Sequence, residues 1–311
     1  MNKNKGLLLV LGTAFISGTV VFISKFGVSI INPYIFTGLK NIIVTILIIS
    51  WLLMMRDWQI LRGLKRIQWL LLIGIGLVGG SIPFLLYFKG LSLTTPVQTA
   101  FIHKTLFIYV AILAAIFLKE KISRGFLIAG LSLLLGNILL LRLIPHQFGW
   151  GDFLVLLATL FWASENVLSK YLLKELPSRI VIWGRMFFGS VFILLFWLMT
   201  GQAHLVTSLS LEQIGWVLIT SAFLFGYLAT WYTGLKYIKV SVAATILLLA
   251  SPITTLLSFI FLNEVLIFSQ ILGMLLIASV IAFLVFKGRA LKAHLRVALE
   301  IPRSCRRQGR D

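Results

Sequence analysis

Apolar runs of about twenty residues recur along this chain, separated by short polar breaks. Ten can be delimited, at about 6–24, 33–55, 67–88, 95–118, 123–142, 152–170, 179–200, 212–235, 240–262 and 267–286. A helix needs ~20 mostly apolar residues to cross the hydrocarbon core of a bilayer, whereas a barrel strand needs only about 9–11. Every backbone N–H and C=O inside hydrocarbon must be bonded within the structure, so runs of this length predict helices. The balance of residue types agrees, with 59% of the 311 residues hydrophobic and 12% charged, against about 25% charged in a soluble domain. The expected fold is an all-α polytopic membrane protein with ten transmembrane helices. The first run begins at Gly6. It is longer than a signal-peptide core and no small-residue cleavage site follows it, so it is read as a retained span.

The basic residues predict an orientation. Assigning alternate breaks to one side collects 22 of the 28 Lys and Arg there, including Arg56, Arg62, Lys65, Arg66, Lys119, Lys121, Arg124, Lys170, Lys174 and Arg179. The opposite side holds Lys25, Lys89 and Arg142, and Lys40, Lys104 and Arg185 lie within spans. By the positive-inside rule the rich side is cytoplasmic. Both termini then face the cytoplasm of a cell with the protein in its plasma membrane. The net charge of +19 is thereby read as a topology signal divided among short loops, not as a nucleic-acid surface. The basic tail 287–311 is expected either to lie on anionic headgroups or to be disordered.

The chain also repeats itself. GLLLVLGTAFISGTVVFISK from Gly6 aligns with GDFLVLLATLFWASENVLSK from Gly151 at an offset of 145, which also sets Lys40 on Arg185. Gly90 aligns with Gly234, and IFLKE ending at Glu120 aligns with IFLNE ending at Glu264, at an offset of 144. Residues 1–144 and 145–286 thus read as two five-helix repeats. Five is odd, so the second enters the membrane inverted relative to the first, an architecture that places a binding site near the midplane between the halves.

The residues at 157–172 and 247–283 carry a family resemblance. LLLASPITTLLSFIFLNEVLIFSQILGMLLIASVIAF sets Pro252 twelve residues before Glu264, with Gln270 and Gly273 opening the next span. In this pattern and over nearly its whole length the chain resembles the EamA-type members of the drug/metabolite transporter superfamily. The resemblance implies ten helices in two inverted halves, and export or exchange of small metabolites such as amino acids. In the first half Glu120 matches, but Ile108 stands where the proline would be, so a proline kink is not expected in the fourth span.

Among individual residues, Lys104 lies near the centre of the fourth span, where a cation costs roughly 2.5–3.5 kcal/mol on insertion scales. It reads either as a structural lysine bonded to carbonyls or as a cavity cation facing an anionic group of a small-molecule substrate. His103 is about 100° away on the helix, so the two are not expected to share a face, and His103 is assigned to packing. Glu165 lies five residues before Lys170, and Arg185 six after Arg179. Their depths match, which predicts a pair, structural or gated by proton or substrate. Lys40 reads as a snorkelling residue near the outer face. Glu120 and Glu264 read as helix-terminal acceptors of backbone amides. Pro83 and Pro252 are expected to bend their helices. Trp162, Trp183 and Trp231 lie deep enough to line a cavity. No metal-ligand spacing or cofactor motif is present, and His103, His146, His204 and His294 are scattered. An integral membrane enzyme is therefore disfavoured, and a lipid-handling or structural membrane protein remains as the second class. No nucleotide-binding motif is seen, so the energy is expected from a proton gradient or a counter-substrate.

Overall fold

The computed structural model describes residues 3–91, 93–94, 96–141 and 148–299. Arg142, most of the linker between the repeats, and the tail beyond 299 with Cys305 lie outside them. No strand occurs among the described residues. The long helices are α1 (Lys3–Ile30), α2 (Pro33–Met54), α3 (Arg66–Gly90), α4 (Gln98–Phe117), α5 (Arg124–Leu141), α6 (Trp150–Leu172), α7 (Ser178–Met199), α8 (Leu211–Leu235), α9 (Val240–Leu262) and α10 (Phe268–Leu299). A short turn of helix, Trp58–Arg62, lies between α2 and α3.

Nine of these, α1 to α9, carry stretches long and apolar enough to cross a bilayer. The tenth expected span exists as a helix, apolar over Phe268–Leu284 and on to Phe286 in the sequence. Against the expected ten, the described residues show nine full-length spans and one further apolar helix.

The helices pair by a rule that exchanges the two halves. α1 packs on α8, and their repeat counterparts α6 and α3 pack on each other; α1 packs on the second half of α9, and α6 on the second half of α4. α2 packs on its own counterpart α7, and α5 on α10. Single residues repeat the rule. A Cβ on Gly6 would lie 3.1 Å from the Gly234 carbonyl oxygen, and one on Gly151 would lie 3.0 Å from that of Gly90. These are the glycines aligned by the repeat, so both close approaches require a residue without a side chain. The hydroxyls of Thr45 and Ser190, 145 residues apart, are hydrogen-bonded at 3.1 Å. Equivalent positions of two repeats touch only where the pseudo-two-fold axis passes.

Two spans are broken at matching places. α4, extended at its start by Pro96 and Val97, consists of α4a (Pro96–Lys104) and α4b (Leu106–Phe117). α9 consists of α9a (Val240–Ile246), a 3₁₀ turn Leu247–Leu249, and α9b (Ala250–Leu262). In α9 the break has a proline cause, since Pro252 has no N–H for the Leu248 carbonyl. The break in α4 was not expected. There the Ile102 carbonyl is taken by both the amide and the hydroxyl of Thr105, at 3.1 and 2.6 Å. A threonine hydroxyl that satisfies a carbonyl from i−3 offers the backbone an alternative to continuing the helix.

Candidate functional site

The site is built around an irregular turn in α3. Residues Gly76–Ser81 form a π turn, a geometry frequent at functional sites. Pro83 follows and has no N–H to give the carbonyl four residues earlier, that of Gly79. The freed Gly79 oxygen instead accepts from Arg185 Nη2 at 3.2 Å and Trp162 Nε1 at 3.2 Å. The Gly80 carbonyl accepts from Asn41 Nδ2 at 3.0 Å. Pro83 thus acts through the bond it cannot make.

Against this turn the structure pairs Glu165 of α6 with Arg185 of α7, Nη1 to Oε2 at 3.3 Å. Both are buried, at 1% and 8% exposure. Burying charges is unfavourable unless their remaining donors and acceptors are met. Tyr232 of α8 supplies much of that, since its hydroxyl donates to Glu165 Oε1 and accepts from Arg185 Nη1 at 2.9 Å. Ser169, one turn along α6, donates to Glu165 Oε1 at 2.5 Å. Two of the three arginine nitrogens are bonded, and Nε has no partner among the described residues. The pair is close to self-neutralised and anchored from three helices. A Cβ on Gly79 would fall within the Glu165 side chain, so the pair can approach α3 only beside glycine.

Beside the pair lies a cavity of about 220 Å³ between the halves. Its walls include Glu165, Arg185, Trp162, Lys104, His103 and Tyr227. Lys104 ends α4a, directly before the break at Thr105. Its ammonium has no hydrogen-bond or ion-pair partner among the described residues. Thus four expected site residues meet in one chamber. His103 lines it as well, contrary to the expectation that adjacent helical positions cannot share a face; the cavity is wide enough to be lined by both. The His103 ring also packs edge-on against Trp162 at 4.9 Å and Tyr87 at 5.5 Å, and its Nδ1 is buried without a partner among the described residues.

The other candidates lie elsewhere. Trp231 does not line the cavity but is buried behind it, donating to Asn166 Oδ1 at 3.2 Å. Trp183 packs on Trp69, Phe187 and Phe188 away from the chamber. Lys40 sits over the Phe36 ring at 4.7 Å. Glu120 accepts from the amides of Val240 and Ser241 and from the Ser241 hydroxyl, at 2.9, 3.3 and 2.6 Å. It therefore caps α9a from the end of α4. Glu264 lies exposed between α9 and α10. Sequence reasoning missed Tyr232, Tyr227, Asn166 and Gly79. The signal available for the first three was a polar atom deep within a span; for Gly79 it was Pro83 four residues on.

Comparison with other proteins fits this arrangement. A protein of Archaeoglobus fulgidus described as "Uncharacterized transporter" is 25% identical over 275 residues, covering 85% of this chain and 91% of the relative. Another so described, from Methanothermobacter thermautotrophicus, is 26% identical over 208 residues, with 65% of this chain spanning 60% of the relative's length. A solved crystal structure superimposes with a TM-score of 0.77 over 94% of this chain and 99% of that one, at 19% identity, a likeness of fold alone. The profile of the EamA-like transporter family matches twice, over residues 4–142 and 149–286. The two matches follow the repeat seen in the helix pairing, and the chain is an integral multi-pass membrane protein that belongs to the EamA-like transporter family.

Proposed function

We propose that this chain is a secondary carrier, exporting or exchanging small polar metabolites with an anionic group, amino acids or related compounds among them. It works in the plasma membrane with both termini cytoplasmic, as the distribution of lysine and arginine supports. The observation that carries the reading is Lys104. Its ammonium faces a cavity between the repeats without a partner among the described residues, while the neighbouring Glu165 and Arg185 satisfy each other. A cation left over in a low-dielectric chamber attracts an anion more strongly than it would in water. Intramembrane ionisable residues commonly mark a substrate or ion pathway.

Alternating access is supported by unequal packing. α4b packs on α9a at the lysine-rich end, but no comparable packing joins their counterparts α4a and α9b among the described residues. Such inequality is what one of two exchangeable states would display.

A stabilisation screen identifies the cargo first. A ligand at 100 times its Kd raises stability by about 2.7 kcal/mol, and small carboxylates, zwitterions, nucleosides and cations are compared separately. Transport of a positive compound into proteoliposomes is then measured for Lys104→Met and Lys104→Arg. Lys104→Met is expected to insert and purify normally but not to transport, and Lys104→Arg to retain part of the activity, since charge survives while geometry changes. Full transport by Lys104→Met would overturn the assignment.

A further inference from the structure

A second space lies on the flank of the molecule, between α3, α4b and α6. It is an apolar groove of about 460 Å³ lined mainly by Val78, Leu113, Phe117, Val167, Leu168 and Tyr171. Phe117 is 70% and Tyr171 46% exposed, so the groove opens sideways onto the bilayer and not into the chamber. The internal repeat shows what is unusual about it. By the same offsets Val167 corresponds to Phe22, Tyr171 to Phe26, and Phe117 to Phe261. At that counterpart site, between α1 and α9b, aromatic rings meet one another. Phe22 packs on Phe261 at 5.9 Å and on Phe26 at 5.5 Å, and Phe26 stacks on Trp216 at 5.5 Å. Valine in place of phenylalanine at 167 supplies no such ring to the groove. Its walls then lack partner atoms on one side unless something else supplies them.

The mouth of the groove differs from its counterpart in charge as well. Lys174 holds its ammonium 5.7 Å from the centre of the Tyr171 ring. Lys119 and Lys121, both exposed and flanking Glu120, follow within three residues of Leu118, another residue of the groove wall. The equivalent positions on the other side are Ser29, Asn263 and Val265. The open groove thus has lysine at three positions by its mouth where the counterpart has serine, asparagine and valine.

We propose that this groove holds one acyl chain of an anionic phospholipid whose headgroup rests on Lys119, Lys121 and Lys174. The chain lies against Val167 and Leu168, on the same helix as Glu165, and against Val78 of the π turn. Lipid occupancy therefore buttresses the two elements that carry the buried pair.

The test uses the full chain, purified and delipidated in detergent. Phosphatidylglycerol and phosphatidylcholine with identical acyl chains are titrated separately, with melting temperature and retained lipid by native mass spectrometry as readouts. The wild type is expected to retain one phosphatidylglycerol and to melt higher with it than with phosphatidylcholine. Val167→Phe, copying the counterpart residue, is expected to melt at or above the lipid-free wild type and to lose the lipid-dependent shift. Replacing the three exposed lysines by glutamine is expected to lower phosphatidylglycerol affinity on the order of 100-fold, from about fivefold per lysine, while phosphatidylcholine binding stays unchanged. A full phosphatidylglycerol shift in Val167→Phe overturns the acyl site. Equal response of the wild type to the two lipids overturns the headgroup assignment. Should Val167→Phe not fold, the triple glutamine variant decides, and an undiminished preference for phosphatidylglycerol overturns the proposal.

Discussion

Glu165 and Arg185 form an ion pair whose worth depends on what is left when it is broken. Deleting one partner strands a buried charge at a typical cost of about 3–5 kcal/mol, whereas deleting both removes the problem along with the bond. Tyr232 reports on both partners, because its hydroxyl donates to the carboxylate and accepts from the guanidinium. Glu165→Gln and Arg185→Gln are therefore each expected to lower stability or expression more than the double variant does, measured as melting temperature and monodisperse yield. Strict additivity of the two losses would count against a direct interaction. The pair was legible in the sequence because charge counted along two consecutive antiparallel spans fixes depth. Tyr232 was not, since a tyrosine in a span carries no mark of which neighbour its hydroxyl will meet. Trp231 failed for a related reason. Depth alone does not tell whether an indole reaches the chamber or supports Asn166 from behind.

Three spans depart from regular helix, and only one fully advertised itself. α9 breaks close to Pro252, which the sequence shows. α4 breaks at the counterpart position through the Thr105 hydroxyl, a residue type that more often sits in a helix without interrupting it. The π turn in α3 was half legible. GIGLVGG reads as a surface for close helix packing, which holds, but the turn itself arises from Pro83 and the bonds that Arg185 and Trp162 make to the Gly79 carbonyl. This gives a direct comparison of two glycines on one helix. A Cβ on Gly74 would meet nothing closer than Leu168 Cδ2 at 4.0 Å, while one on Gly79 would overlap Glu165. Gly74→Ala is expected to be neutral or slightly stabilising, because alanine favours helix over glycine. Gly79→Ala is expected to cost about 1–3 kcal/mol, the usual range for overpacking, and to lower transport by displacing Glu165. Thermal melts in detergent check the first effect. Equal melting of the two variants would show that Glu165 can yield without loss.

For the molecule as a whole, the repeat offset was visible in the sequence and reappears in the pairing of α1 with α8 and of α6 with α3. What no sequence shows is which of two repeat-related arrangements a structure adopts, because both belong to the same chain. The symmetry nevertheless sorts contacts into those that persist and those that change. If transport exchanges the conformations of the halves, a contact between equivalent residues maps onto itself. Thr45 with Ser190 is such a contact, and its 3.1 Å separation is then the same in both states. The packing of α4b on α9a has no comparable match in α4a and α9b among the described residues, so it must open. Lys239 Nζ donates to the Lys121 carbonyl at 3.1 Å across that junction, and both residues are exposed. In a variant lacking Cys305, Thr45→Cys with Ser190→Cys is expected to oxidise to a disulfide and keep most of its transport. Lys121→Cys with Lys239→Cys, joined by a short bifunctional thiol reagent, is expected to lose transport while melting no lower than the unlinked protein. Transport lost on oxidising the 45–190 pair and regained on reduction would show that the halves move at that point, and the pivot would then lie elsewhere.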